Sequence, residues 1–410
     1  MNTKLLSFLF GNLGVFSIRF LYFIILTFIL DLKEIAEFTT CISISGILLC
    51  ICNYGNYNLF MRRSSKGEDS KKILGEYIFT SIILLFLFSV IFYIYSQYKQ
   101  YFLGVRTENL LLILISEYFF SAVPGIFKAY ALSEYNQKIL LDSITNIITS
   151  LLLLICSSLL WYFYYTSNSY VYSYWINMYL LIGVISFIIR ILIWKKNIVL
   201  PNIKQIIPNL FIQLKTGNNF MFSSVFRNFY LNIDKILILN LLGKEVAGYY
   251  AIAFRFFNVL LMILNSISGV KEAKLYQLYE ESFLKFKSEI KAINNLSLKY
   301  FIFSIPLWIV VAISIYYFYP LSCLYIFMML MLICPIQLLS FTMLNALNSI
   351  GLENQRLSLM IFSVLINCII SFSLSTYISW GAIVIGILIS NIIIVVSSKY
   401  YIYTYEYKNF

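Results

Sequence analysis

The chain has 410 residues, 61% hydrophobic and only 12% charged, with 30 Lys and Arg against 18 Asp and Glu for a net charge of +12. A soluble domain carries roughly 25% charged and about 45–50% apolar residues, so this composition excludes an ordinary globular enzyme and makes lipid the main solvent. The positive residues sit in short loops between apolar blocks rather than in a basic domain, which excludes nucleic-acid binding as their purpose.

Apolar blocks of about twenty residues, the length of a membrane-spanning helix, recur along the chain. They fall at 5–30, 38–60, 74–96, 109–132, 139–164, 174–194, 219–242, 246–268, 296–319, 322–346, 357–379 and 381–403. Main-chain groups in hydrocarbon must bond within their own segment, so each block is predicted as a helix. The strands of a membrane β-barrel are shorter and alternate in polarity, which these blocks do not. The first block, within MNTKLLSFLFGNLGVFSIRFLYF, reads as a span rather than a signal peptide. Its apolar run is long, it contains Arg19, and no small-residue cleavage site follows.

After the first span comes KEIAEF, Lys33 to Phe38, and after the seventh comes KEVAGY, Lys244 to Tyr249, about half a chain later. In each half an arginine-bearing span precedes this turn, and a further span and a charged loop follow it. The sequence therefore predicts an all-α polytopic membrane protein of about twelve transmembrane helices in two parallel six-helix bundles. Such repeats are a transporter signature, with the site where the halves meet. The predicted boundaries are an N-terminal bundle at 1–196, a polar, basic linker at 197–218 containing Pro201 and Pro208, and a C-terminal bundle at 219–410. The other long loop, 269–295, places Leu275, Leu278, Tyr279, Phe286 and Ile290 on one helical face, and is predicted to lie along the membrane surface with Glu281 and Lys285 paired.

Loop charge predicts the orientation. With the N-terminus inside, Lys4, Arg62, Arg63, Lys66, Lys71, Lys72, Lys138, Lys195, Lys196, Lys204, Lys215, Lys271, Lys274, Lys285, Lys287, Lys291, Arg356, Lys399 and Lys408 are cytoplasmic. Only Lys33, Lys99, Arg106 and Lys244 fall in outer loops, so both termini are expected in the cytoplasm. The outer loops are too short to hold a folded domain.

The chain has no histidine, and its seven cysteines all lie in apolar runs. Neither a metal site nor a redox pair is expected, and no cofactor. Ionisable side chains inside spans are costly unless they face water or a partner, so they are the functional candidates. Arg19 lies about 22 Å of helical rise beyond Lys4, Arg227 about 18 Å beyond Lys215, and Arg255 about 16 Å beyond Lys244. None reaches an interface easily. Arg227 and Asp234 are related as i and i+7, with Tyr230 between them and Ser223 extending the stripe. Asn12 and Arg19 repeat that relation on the first helix. Lys235 is rotated by about 100° from Asp234. These residues predict a cationic cavity, since the planar arginine fork suits a pyrophosphate. An internal Arg227–Asp234 pair is the structural alternative. On the fourth span, Glu117 and Lys128 share a face, and Glu117 is a candidate for H+ or Na+ coupling, with an internal partner as the alternative. Asp142 reads as a cap or paired residue. Pro124, Pro306 and Pro335 are predicted to interrupt and kink their spans. Tyr22, Tyr230, Tyr249 and Tyr250 are candidates for stacking on sugar rings, whereas runs such as Trp161 to Tyr165 read as interfacial belts.

The stretches NIDKILILNLLGKEVAGYYAIAFRF, Asn232 to Phe256, and ISISGILLCICNYGNYNLFMRR, Ile42 to Arg63, resemble Wzx-type polysaccharide-repeat flippases of the MATE-like (MOP) exporter superfamily. The resemblance covers nearly the whole chain. It implies a V-shaped helical bundle with a cationic lumen and alternating access. The cargo it implies is an undecaprenyl-pyrophosphate-linked oligosaccharide crossing the bacterial inner membrane. Membrane lipids and other polysaccharide-assembly proteins are the remaining partners it implies. Glu37 stands where the family commonly has a glycine and where the second half has Gly248. The competing readings are an ion-coupled drug antiporter of the same superfamily and a membrane O-antigen polymerase or glycosyltransferase. The short outer loops, and the lack of paired carboxylates in any loop, speak against the enzyme.

Overall fold

The structure, a computed structural model, describes residues 3–65, 67–133, 139–166, 171–199, 203–269, 275, 278–279 and 281–409. Side chains at 1–13 and at several positions in and beside the loops lie outside this description. Asn12, Lys4, Lys66, Lys138, Pro201, Lys204, Lys271, Lys274 and Lys408 are among them. The chain divides into two compact units, Met1–Asn232 and Ile233–Phe410.

The first unit holds α1 (Thr3–Ile29), α2 (Leu32–Asn53), α3 (Asn56–Ser65), α4 (Ser70–Tyr98), α5 (Thr107–Glu117), α6 (Val123–Ser133), α7 (Ile139–Thr166), α8 (Val171–Trp194) and the first part of α9 (Ile203–Gly269). The second holds the rest of α9, then α10 (Phe283–Phe318), α11 (Leu321–Ser349), α12 (Glu353–Ile378) and α13 (Trp380–Asn409). Among the described residues the one sheet is a two-stranded antiparallel ladder, Tyr101 opposite Arg106 and Phe102 opposite Val105, between α4 and α5.

Ten helical stretches among the described residues are long and apolar enough to cross a membrane, and Ser17–Ile29 is a shorter apolar one. One of the ten, Phe220–Met262, is divided at Gly243 (φ 85°, ψ 172°), where the sequence predicts the seventh span to end. Counting its two arms and α1 brings the apolar helices to about twelve, as the hydropathy pattern predicts. Glycine is required there because L-residues are strained at that backbone angle.

Local chemistry sets the other boundaries. The Asp31 carboxylate accepts from the Glu34 N–H at 2.7 Å, and the Glu34 carboxylate accepts from the Asp31 N–H at 3.1 Å. This reciprocal cap starts α2 inside the KEIAEF turn. The second predicted span, 38–60, is not one helix. Tyr54 (φ 44°) and Gly55 (φ 73°) both adopt the left-handed conformation and separate α2 from α3. A Cβ on Gly55 would stand 2.6 Å from the Phe220 Cβ, and one on Gly217 would stand 2.6 Å from the Tyr54 carbonyl oxygen. The two glycines therefore let the start of α9 cross the α2–α3 break at backbone distance. Residues 203–218, within the predicted linker, are helical and run straight into the seventh span.

The fourth span carries a π-helical turn, Tyr118–Ala122, and Pro124 follows directly after it within the same continuous helix. Pro306 and Pro335, expected to interrupt their spans, instead lie inside the continuous helices α10 and α11. The predicted surface helix at 269–295 also needs correction. Leu275, Phe286 and Ile290 do share a face, with Leu278 and Tyr279 beside them. That face is buried against Met343, Ala346 and Leu347 of α11, Leu359 of α12 and Ile402 of α13, not laid on lipid. Phe283 and Ile293 extend the apolar stripe along α10 into the ninth span, and the extended Ser282 separates α10 from Leu275, Leu278 and Tyr279. Glu281 and Lys285 pair at 3.2 Å on the exposed side, as their spacing predicts. In the second unit α12 and α13 meet through small and polar residues. Gly386 lies under Asn367, Ser390 donates to the Ser363 carbonyl at 2.8 Å, and Ser340 of α11 donates to Asn391 at 2.6 Å. Small residues let membrane helices approach, and their polar groups bond across the seam.

Candidate functional site

The first unit encloses a cavity of about 340 Å³ beside the α2–α3 break. It is lined by Cys50 and Asn53 of α2, Gly55, Asn56, Tyr57 and Asn58 around the break, Ala122, Gly125 and Ile126 of the fourth span, and Ser224, Arg227, Asn228 and Leu231 of α9. The volume falls at the lower end of the roughly 300–1,000 Å³ of small-molecule sites. The lining is unusual for a membrane span: four asparagines, a tyrosine, a serine and one arginine. Arg227 is exposed on its span and is among the residues that line the cavity. Asn228, the next residue, donates to Cys50 Sγ at 2.9 Å and to the Ser224 carbonyl at 3.0 Å, which fixes α9 against α2. Gln213 donates to the Asn56 carbonyl oxygen and Tyr54 donates to Asn218 at 3.2 Å, tying the break to α9 at two more points.

Arg19 is half-buried among the helices of the same unit. Its Nη2 donates to the Phe120 carbonyl at 3.5 Å and its Nε to Ser150 Oγ at 3.4 Å. The first contact lies at the π-turn, whose hydrogen bonds run one residue out of α register. Ser150 leads to a deeper network. Arg190 donates to Asp142 at 2.8 Å and to Asn146 at 2.7 Å, and Asn146 donates to Asp142 at 3.2 Å. Arg190 also lies over the Phe127 ring, 5.6 Å from its centroid. Both charges of this pair are buried, and Lys128 is close enough to Asp142 to act on it electrostatically. Glu117 accepts a short hydrogen bond from Tyr179, which is itself buried between Phe38, Phe120 and Trp175. Tyr22 is buried and stacks on Trp175 at 6.0 Å. Glu37 is buried and accepts from Asn109 of α5 at 2.7 Å.

The second unit contains a separate buried charge cluster. Asp234 and Lys235 pair at 3.1 Å, Tyr250 donates to Asp234, and the Lys235 ammonium stands 3.8 Å from the centroid of the Phe254 ring. Phe254 stacks on Tyr250 at 5.7 Å. The 100° of rotation between Asp234 and Lys235 does not keep them apart, because the flexible lysine stem folds its ammonium back to the neighbouring carboxylate. Arg255 and Tyr230 are half-buried on α9, and Tyr249 donates to Glu245 at 3.1 Å. Of the residues singled out from the sequence, the structure therefore opens Arg227 to a cavity, places Arg19 beside the π-turn, and joins Asp234 to Lys235. Sequence reasoning missed Arg190, Asn146 and the asparagines of the α2–α3 break. Arg190 carried a signal, since it and Asp142 are opposite charges on consecutive antiparallel spans. The asparagine run NYGNYN carried another, being polar where a span should be apolar.

Solved structures share this fold. A MOP superfamily transporter from Pyrococcus furiosus aligns over 97% of this chain and 95% of its own, with 12% identity and a TM-score of 0.66. A MATE transporter of Vibrio cholerae aligns over 100% and 96%, with 17% identity and a TM-score of 0.63. A multidrug resistance MATE family transporter in an inward-facing conformation aligns over 97% and 96%, with 13% identity and a TM-score of 0.62. The architecture is thus that of the MATE-like transporters of the MOP superfamily. No curated protein matches the chain. Residues 3–270 match the model of the polysaccharide biosynthesis proteins, and the chain belongs to that family, which includes Wzx-type flippases.

Proposed function

We propose that this protein is a flippase that moves an undecaprenyl-pyrophosphate-linked oligosaccharide, an O-antigen or similar repeat unit, across the bacterial inner membrane by alternating access. The observation that carries the proposal is Arg227, a charged side chain on a span that opens into an amide-lined cavity. A sugar–pyrophosphate head is too polar to cross hydrocarbon unaided, whereas its polyprenyl tail can stay in lipid. A positively charged, hydrogen-bonding recess lowers the first cost without covalent chemistry. Family and fold point to transport rather than catalysis.

In this reading Arg227 meets the anionic head, and Arg19 of the same unit and Arg255 of the second unit are the other arginines proposed to act on it. Asp234 and Lys235, singled out with them from the sequence, are buried and paired with each other in the second unit. Glu117, with Lys128 on its face, is the proposed site of H+ or Na+ coupling. Both termini are cytoplasmic, and other polysaccharide-assembly proteins deliver and remove the cargo. Deleting the gene tests the assignment: lipid-linked repeat units accumulate on the cytoplasmic leaflet and surface polysaccharide is lost. Normal surface polysaccharide, together with new drug sensitivity, would instead identify a drug antiporter.

A further inference from the structure

We propose that the end of the first unit where α4 begins and α8 ends is a docking surface for anionic phospholipids, whose headgroup phosphates are held by Lys71, Lys72, Lys195 and Lys196. The proposal concerns the bilayer around the protein and stands whatever the cargo is. Lys71 and Lys72 open α4, while Lys195 and Lys196 lie in a 3₁₀ turn, Lys195–Asn197, that ends α8. The pairs are far apart in sequence, and the fold brings them to one end of the unit. The Val199 N–H donates to the Lys71 carbonyl at 3.4 Å. Tyr130 of α6 donates to Asn197 at 3.4 Å, and Ser133 of α6 donates to Ser70 at 3.5 Å, so α6 ties both ends together. All four lysines are exposed. The carboxylates around them are engaged elsewhere. Arg63 pairs with Glu68 at 2.6 Å and with Glu76 at 2.8 Å, Asp69 accepts from the Lys71 N–H at 2.9 Å as the cap of α4, and Asp142 is paired with Arg190. Among the described residues no carboxylate pairs with the side chain of any of the four lysines.

The neighbouring surface selects the kind of anion. On α4, Phe79 and Phe86 follow Lys72 in seven-residue steps on one face, and both are exposed. On α8, Leu181, Ile185, Ile188 and Leu192 form an exposed apolar stripe that ends one turn before Lys195. Exposed apolar stripes on spans of this length face lipid tails. Each stripe therefore passes from hydrocarbon into unpaired positive charge within one or two turns. A soluble anion or an acidic protein would meet the charge and leave the stripes uncovered. A phospholipid covers both, with its phosphate among the lysines and its acyl chains along the helices. Lysine suits this role, because its flexible stem lies along apolar surface while the ammonium reaches the headgroup. The second unit supplies a contrast: there the exposed Lys285 of α10 is paired with Glu281.

Native mass spectrometry of the full chain in detergent tests this. Phosphatidylglycerol and phosphatidylcholine of the same chain length are added at equal concentration, and the retained lipids are counted. Melting temperature reads folding. Wild type is expected to retain phosphatidylglycerol about tenfold or more over phosphatidylcholine, and the preference should shrink at high salt. Combining Lys71→Gln, Lys72→Gln, Lys195→Gln and Lys196→Gln should abolish it, whereas Lys71→Arg, Lys72→Arg, Lys195→Arg and Lys196→Arg together should keep it. Lys285→Gln, Lys287→Gln, Lys291→Gln and Lys299→Gln remove the same charge from exposed positions of α10 and should leave the preference in place. Should the fourfold patch variant fail to fold, Lys72→Gln with Lys195→Gln serves instead, with an expected loss of about fivefold or more. The proposal is overturned if wild type shows no preference, if a folded patch variant keeps it, or if the α10 variant loses as much as the patch variant, since net charge alone would then explain the retention. Undecaprenyl pyrophosphate at the same concentration separates the two lipid sources. It should leave the retained phosphatidylglycerol in place, and displacement from wild type would assign the lysines to the cargo's head and overturn the proposal.

Discussion

The Asp142–Arg190 pair should be the most sensitive electrostatic contact of the first unit. Arg190 is 3% exposed and donates to Asp142 at 2.8 Å and Asn146 at 2.7 Å, so its charge has almost no water to fall back on. Asp142→Asn keeps the shape and removes the negative charge, leaving a guanidinium buried beside two amides and within reach of Lys128. Removing one partner of a buried pair costs about 3–5 kcal/mol. Domains of roughly 150–250 residues lose about 2–4 °C of melting temperature per kcal/mol, so the drop should be about 6–20 °C. The double variant Asp142→Leu with Arg190→Met removes both charges at similar volume and should recover most of that loss, because it also removes the desolvation cost. Thermal scanning of the purified full chain, with all three variants side by side, reads both effects. A melting point for Asp142→Asn within about 2 °C of wild type would show instead that water reaches the pair.

Other contacts make equally direct predictions. Gly217→Ala should destabilise by about 1–3 kcal/mol, since its Cβ would stand 2.6 Å from the Tyr54 carbonyl, whereas Gly14→Ala, with open space around it, should be neutral; melting temperatures of the two separate the cases. Glu37→Gln should keep the Asn109 bond and fold normally, while Glu37→Ala should lower stability by about 1–3 kcal/mol by leaving the half-buried Asn109 amide without that partner. Arg19→Met should slow transport with near-normal protein abundance, because the Phe120 carbonyl stays in the wall of the unit without its donor; surface polysaccharide and immunoblotting read the two quantities.

The helical architecture was legible because lipid forces every backbone group into its own segment, which makes hydropathy and loop charge nearly sufficient. Predicted spans such as 74–96 and 322–346 fall wholly inside α4 and α11. What hydropathy does not register is a change of backbone conformation inside an apolar block. The left-handed Tyr54 costs no hydrophobicity, and the π-turn before Pro124 differs from an α-turn by one residue of hydrogen-bond register. Both irregularities sit at the polar sites, one at the cavity and one at Arg19. Arg190 escaped notice because it precedes Lys195 and Lys196 and reads as part of a basic helix end, while its partner Asp142 lies on another helix. Arg227 was legible as a charge too deep to reach an interface, but its asparagine neighbours were not, since asparagine carries no charge to flag it. The apolar face at Leu275 to Ile290 was read correctly and its partner wrongly: periodicity shows that a face must be buried, not what buries it.

The flippase proposal requires the chain to carry a lipid-linked saccharide across a bilayer by way of the Arg227 cavity. Purified protein in vesicles holding undecaprenyl-pyrophosphate-linked saccharide, with lectin access to the outer leaflet read over time, measures this directly. Wild type should equilibrate the saccharide far faster than protein-free vesicles do, and Arg227→Gln should slow the exchange about tenfold or more, the loss of one charge-assisted bond to the head. Exchange no faster than in protein-free vesicles, or Arg227→Gln exchanging at the wild-type rate, would contradict it.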